Sequence, residues 1–262
     1  EVGYRGLIVL FHAFTACPQQ FHEVGQILSR QGYAIYIPLL PGHGRAPVPM
    51  DARNGTINGK AYKDYYGEFL PRGAERGWQL YRDFVRDTNA WIARLPGTKM
   101  IGGFSFGASL ATFAYLDQPG LYSRALLIAP FYGAHFLSNE DPPVRDGDPL
   151  YLLRDPEPAS DGGGLENMGS TKSLGWSSRC YDEVEGAPGV KGRAGICDFR
   201  GDNYAALNAF GRKVLQRLGE IPPDFVLPQI QVLAIDADRA VDSVLTQRAA
   251  MEQGGRGAEI CW

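Results

Sequence analysis

Ser105 sits at the centre of Gly103-Phe104-Ser105-Phe106-Gly107, a hydroxyl with glycine two residues away on either side. Lys99-Met100-Ile101-Gly102-Gly103 reads as a short buried strand, and Ala108-Ser109-Leu110-Ala111-Thr112-Phe113-Ala114-Tyr115-Leu116 as a helix. A strand that reverses directly into a helix strains the residue at its apex, and glycines at those two positions remove the side chains that would clash in the reversal. The strain presents the hydroxyl to a ligand, and the N-terminus of the following helix favours negative charge developing there. Those are the needs of a nucleophile attacking a carbonyl carbon. The chain has 33 glycines, so the five letters alone would also describe an ordinary tight turn. The flanking strand and helix are what argue for a nucleophile.

A nucleophilic serine works with a base, an acid that orients the base, and donors that hold the oxyanion. The histidines are His12, His22, His43 and His135, and carboxylates cluster at Asp236, Asp238 and Asp242. Phe14, Phe104 and Phe106 bring aromatic surface towards the serine, which suits an apolar acyl group, although Phe104 serves equally well as core filling. His135 stands a few residues past an apolar run and is a further candidate for the substrate site. Cys17, Cys180, Cys197 and Cys261 lack the spacing of zinc ligands. Cys180 and Cys197 share one irregular segment, either as a bridge closing it or as two reduced thiols.

The elements that must position these residues alternate between strand and helix. Apolar runs at Tyr33–Ile37 and Arg124–Ala129 fit parallel strands covered on both faces, and Arg5–Phe11, Ile230–Ile235 and Glu259–Trp262 are further strands. Phe21, Val24, Ile27 and Leu28 mark a helix that stops at Gly32. Trp78, Tyr81, Phe84, Val85, Trp91, Ile92 and Leu95 mark a long amphipathic helix ending at Pro96-Gly97, and a further helix runs from Asn203 to about Leu218. Such alternation implies a doubly wound parallel sheet, whose ligands bind beyond the carboxyl ends of the strands.

From about Phe131 to Asp202 the periodicity fades. Between Ser138 and Glu166 there are eight acidic residues against Arg145 and Arg154. A segment this long inside a compact domain is functional or disordered, and its position suits a cap over an active site.

The 262 residues fit one domain, with 44% hydrophobic and 21% charged residues. A net charge of −3 gives no electrostatic footprint for nucleic acid, and there is no basic run for an anionic membrane. No apolar stretch reaches the ~20 residues of a membrane helix. The expectation is a water-soluble chain, cytoplasmic or secreted, of undetermined oligomeric state.

His12-Ala13-Phe14-Thr15-Ala16 resembles the His-Gly-Phe-Thr-Gly oxyanion loop of the α/β-hydrolase superfamily, in its carboxylesterase and monoacylglycerol lipase branch. Pro38-Leu39-Leu40-Pro41-Gly42-His43-Gly44 resembles that branch's loop after the next strand, and the Ser105 elbow follows in the expected order. The resemblance implies the α/β-hydrolase fold over residues 1–262, with a core of 1–130 and 203–262 and a cap or lid over about 131–202. It implies Ser105 as nucleophile and the backbone N–H groups of Phe14 and Phe106 as oxyanion hole. The family's spacing of aspartate to aliphatic selects Asp238, followed by Val241, as the acid; Asp236 is the reserve, and Asp242 fits a helix cap. The activity implied is hydrolysis of a small-molecule carboxylic ester, of short to medium acyl length or monoacylglycerol-like, with no metal and no organic cofactor. Thioesterases and acyltransferases use the same nucleophile.

The same resemblance places the base histidine after the last strand, and no histidine follows Asp238. His12 and His43 fit the ordering of loop backbone, and His22 fits a surface position. Two accounts meet this. Either the C-terminus is incomplete and the histidine lies beyond Trp262, or the protein is a catalytically silent member that uses the pocket for binding.

Overall fold

The computed structural model describes residues 3–14, 16–43, 71, 73–133, 203–222, 224–234, 246 and 249, and the backbone alone at 56–57, 60–61, 183–184, 187–191, 201–202 and 259–261. The first strand, β1 (Gly6–Phe11), is buried along its whole length. A 3₁₀ turn (Pro18–Phe21) leads into α1 (His22–Arg30), and the chain turns at Gly32 into β2 (Tyr33–Tyr36). A short antiparallel pair, β3 (Thr56–Ile57) and β4 (Lys60–Ala61), flanks Asn58-Gly59. Asn-Gly is the dipeptide that favours two-residue hairpin turns. Then come α2 (Ala74–Ala93), β5 (Lys99–Phe104), α3 (Phe106–Asp117) and β6 (Arg124–Ile128). A second antiparallel pair, β7 (Glu183–Val184) and β8 (Ala187–Lys191), precedes α4 (Gly201–Glu220), β9 (Gln229–Leu233) and β10 (Glu259–Cys261).

Six strands form one parallel sheet in the order β10-β9-β6-β5-β1-β2. The chain winds outward from β1 to β2, then from β5 the other way through β6, β9 and β10. The order therefore reverses between β1 and β5, whose register pairs Phe11 with Gly103. At such a reversal the connections leave on opposite sides and open a crevice beyond the strand ends. The elbow after β5 and the His12 loop after β1 both start there.

Helix α3 explains why the centre of the sheet is dry. Phe106 through Leu116 are all buried, as expected of a helix that is apolar all round. It lies between the sheet and the pair α2 and α4, with Phe113, Trp78 and Phe210 packed edge-on or tilted at 5.3–5.6 Å between centroids. On the expected α2 stripe, Tyr81, Val85 and Ile92 are buried, whereas Trp91 is 39% exposed and packs on Tyr36 at 4.6 Å.

Two expectations about burial are corrected. The inward residues here are Phe21, at the end of the 3₁₀ turn, and Gly25 of α1, the latter against Ile35 and Ile37, while Val24 and Ile27 are exposed. The helix thus approaches β2 along a face rotated from the one its aliphatic residues suggest. In β6 burial alternates, leaving Leu126 37% exposed, so one face of this strand is only partly covered where coverage on both was expected; β9 alternates likewise, with Leu233 39% exposed.

Tyr81 carries a prediction. Among the described residues its hydroxyl is the one buried side-chain polar atom with no hydrogen-bond partner, held between the rings of Phe106 and Phe210. An unpaired buried hydroxyl costs roughly 1–3 kcal/mol. Tyr81→Phe, which keeps the ring, is expected to stabilise the protein by about 1 kcal/mol, a rise of roughly 2–4 °C in Tm at this size. Thermal unfolding checks it, and a lower Tm would show that the hydroxyl has a partner in solution.

Candidate active site

Strand β5 runs into Ser105, which takes φ 53° and ψ −122° before α3 begins at Phe106. A non-glycine residue with φ in this range costs on the order of 1–3 kcal/mol and persists only where its surroundings force it. Here the forcing groups are identifiable. The Ser105 N–H donates to the Ile128 carbonyl at 2.8 Å, and the Ser105 carbonyl accepts from Ala108 N–H at 2.9 Å and Phe131 N–H at 3.2 Å. A Cβ on Gly103 would overlap the Gly107 carbonyl, and one on Gly107 would overlap the Phe11 carbonyl and lie 2.6 Å from that of His12. The glycines thus do more than permit a turn. They let the first turn of α3 press directly on the end of β1. Ser105 is left half-buried at the crevice.

Phe106 occupies the first position of α3, where the backbone N–H has no acceptor within the helix. Across the crevice, the ring of Phe14 meets that of Phe106 edge-on at 6.2 Å, locking the two loops together. Both rings belong to the main core cluster, so these residues bring backbone groups to the crevice. Phe104 packs on the other face of the sheet, against the cluster of Ile8, Leu10 and Phe21.

His12 and His43 are buried with their rings 5.0 Å apart. His12 Nδ1 lies 2.9 Å from the Ala13 carbonyl and Nε2 3.3 Å from the Leu40 N–H. His43 Nε2 lies 2.6 Å from the Phe14 carbonyl. Burial, and secondarily the neighbouring His43, lowers the pKa of His12 from 6.5 to about 3; burial also lowers that of His43. Both are neutral at neutral pH and order loop backbone, as expected. His22 is exposed on α1 and pairs with Gln26 at 3.0 Å.

The depressed values fix a sign. Below pH 6.5 the unfolded chain takes up protons that the folded chain refuses, so stability falls as the pH drops from about 6.5 towards 3 and is fully present above 6.5. At pH 5, His12 alone is expected to cost about 2 kcal/mol relative to pH 7, with His43 acting in the same direction. Urea unfolding at the two pH values checks this, and the loss must shrink in His12→Asn for histidine to be its source.

Some supporting groups were not anticipated. The fully buried Ser109 hydroxyl donates to the Phe131 carbonyl, and Phe131 N–H in turn holds the Ser105 carbonyl. The Thr246 hydroxyl donates to the Pro130 carbonyl at 3.0 Å, and Gln20 Oε1 accepts from Ala13 N–H at 2.9 Å. Ala129, expected to extend β6, instead turns to φ 44° and sends its N–H to Leu233 at 2.7 Å, so that the chain reaches back under the elbow. No local pattern announces pairs so distant in sequence.

The candidates Asp238, Asp236, Asp242 and His135 lie outside the described residues, as do Cys180, Cys197 and the cap region apart from residues 131–133 and the backbone of β7, β8 and the start of α4. An open groove of about 510 Å³ between α1 and β2, lined by Phe21, Gly25, Ser29, Ile35 and others, contains none of the candidate catalytic residues. Among the described residues no helix is long and apolar enough to cross a membrane.

The family model described as "Alpha/beta hydrolase family" matches residues 8–260. Three similar solved structures are lipolytic enzymes by name. One structure, described with the metagenome-derived lipolytic enzymes LipS and LipT, gives 17% identity and a TM-score of 0.63, with 100% of this chain and 84% of that chain covered. The Paleococcus ferrophilus monoacylglycerol lipase gives 14% and 0.57, covering 98% and 84%. A soluble variant of the Saccharomyces cerevisiae monoglyceride lipase gives 11% and 0.60, covering 99% and 77%. At these identities the likeness is one of fold. No curated protein sequence matches the chain.

Proposed function

The chain belongs to the alpha/beta hydrolase family, and from that premise we propose that it is a serine hydrolase cleaving carboxylic esters through an acyl-enzyme on Ser105. The observation that carries the reading is the strained Ser105 at the sheet's switch point, with the ring of Phe14 packed on that of Phe106, the residue after the serine. Ser105 Oγ attacks the ester carbonyl carbon as its proton passes to a base. The oxyanion is held by the N–H groups of Phe14 and Phe106, and the C–O bond breaks as the alcohol leaves with that proton. Water then attacks the acyl carbon and releases the acid. Asp238 is assigned to orient the base. His12 and His43 are committed to loop backbone and His22 is exposed on α1, so the base is a histidine outside the described residues.

The substrate class, a short- to medium-chain acyl ester or a monoacylglycerol, is supported by the lipolytic names among the fold neighbours. The second reading, a silent ligand-binding member of the family, draws on the commitment of those histidines elsewhere. A fluorophosphonate probe applied to the full-length protein separates the two. The hydrolase labels at Ser105 and turns over p-nitrophenyl esters with a preference by acyl length. A protein that neither labels nor hydrolyses is the binding protein.

A further inference from the structure

We infer that His12 and His43 are positioning residues that pin the peptide units on either side of Phe14 and so aim the Phe14 N–H at the crevice beside Ser105. The inference rests on the hydrolase reading and adds to it the device that holds one of its oxyanion donors.

The partners decide the tautomers. The Leu40 N–H can be accepted only by an unprotonated His12 Nε2, so the ring proton sits on Nδ1 and is donated to the Ala13 carbonyl at 2.9 Å. For His43, the 2.6 Å contact with the Phe14 carbonyl is shorter than the 3.2 Å between Nδ1 and the Pro41 carbonyl, which assigns its proton to Nε2. Each imidazole thus donates to one carbonyl of the loop, and the two carbonyls belong to consecutive peptide units.

The peptide between Ala13 and Phe14 contains both the Ala13 carbonyl and the Phe14 N–H. No cis bond occurs among the described residues, so these two groups point to opposite sides of one rigid plane. Fixing the carbonyl therefore fixes the direction of the N–H. His12 and Ala16 N–H, the latter at 3.0 Å, together occupy that carbonyl. His43 holds the following carbonyl, and its ring also stacks edge-on against the Phe14 ring at 5.6 Å. With both flanking planes held, the backbone dihedrals of Phe14 have no freedom left. Donation into a carbonyl also polarises its amide, making the N–H on the other side a stronger donor. Both imidazoles are buried, so water does not compete for these bonds.

The test compares shape-matched variants in the full-length protein. His12→Asn keeps an N–H donor near the Nδ1 position, while His12→Leu keeps the volume and removes the donor. An oxyanion donor acts on the transition state and not on substrate binding, so His12→Leu is expected to lower kcat about 100-fold with KM within about twofold, and His12→Asn to recover most of that loss. His43→Leu and His43→Gln form the matching pair, with Gln supplying the donor near Nε2, and carry the comparison should His12→Leu not fold. Amide hydrogen exchange over residues 12–16 is read on the same variants, faster in the Leu forms and restored in Asn and Gln. The exchange arm does not depend on turnover, so a protein that exchanges as expected but never hydrolyses an ester overturns the hydrolase reading and leaves the pinning intact. Unchanged kcat and exchange in both Leu variants, or equal losses in the Leu and the donor-bearing forms, would overturn the pinning.

Discussion

Ser105→Ala is expected to remove fluorophosphonate labelling and to lower kcat for a p-nitrophenyl ester by at least about 10⁴-fold, with Tm nearly unchanged. The size follows from the chemistry. Without Oγ no acyl-enzyme forms, and what remains is the contribution of binding and the oxyanion donors to direct attack by water. Stability is insensitive because the half-buried hydroxyl is not what holds the elbow. The Ile128 carbonyl and the Ala108 and Phe131 N–H groups hold its backbone instead. Ser105→Gly is expected to be equally inactive yet more stable than the alanine variant by about 1 kcal/mol, since glycine adopts φ 53° without strain. Labelling that survives in either variant would place the nucleophile elsewhere.

The second large effect is structural. Gly107→Ala adds a Cβ that overlaps the Phe11 carbonyl and sits 2.6 Å from that of His12. These are backbone atoms of a buried strand end, so no rotamer change relieves the clash, and either α3 or the end of β1 must move. The expected cost is at least about 3 kcal/mol in urea unfolding, at the upper end for overpacking because the colliding atoms are backbone. Any shift that relieves it displaces the His12–Phe14 segment, so the folded fraction of Gly107→Ala is also expected to label slowly. A stability within 1 kcal/mol of the parent, with normal labelling, would show that the first turn of α3 does not rest on β1.

Much of this was legible because it is encoded locally. The strand before Ser105, the helix after it and the two glycines are near neighbours in sequence, and local steric rules connect them to a reversal. The strand order was inferable only as far as the alternation of strand and helix reaches. The pair β3 and β4 flanks an Asn-Gly signal, but its strands are only two residues long, too short for any alternation to mark them. The α1 stripe misled for a different reason. Periodicity shows that a helix has an apolar side, but packing against Ile35 and Ile37 of the neighbouring strand decides which side approaches β2.

The sequence by itself determined the sharp reversal at Ser105, the loop pattern at His12–Ala16 and, with them, the family, since each pattern is complete within a few residues. Tertiary structure alone decided that these two loops meet, because their meeting depends on β1 and β5 lying side by side where the winding of the sheet reverses. It also decided which backbone groups the histidines hold. His12 and His43 are as nucleophilic and as basic as any other histidine when read as letters. Their loop-ordering role was expected, but only their burial, which keeps them neutral, and the carbonyls of Ala13 and Phe14 within bonding distance identify the backbone groups they engage.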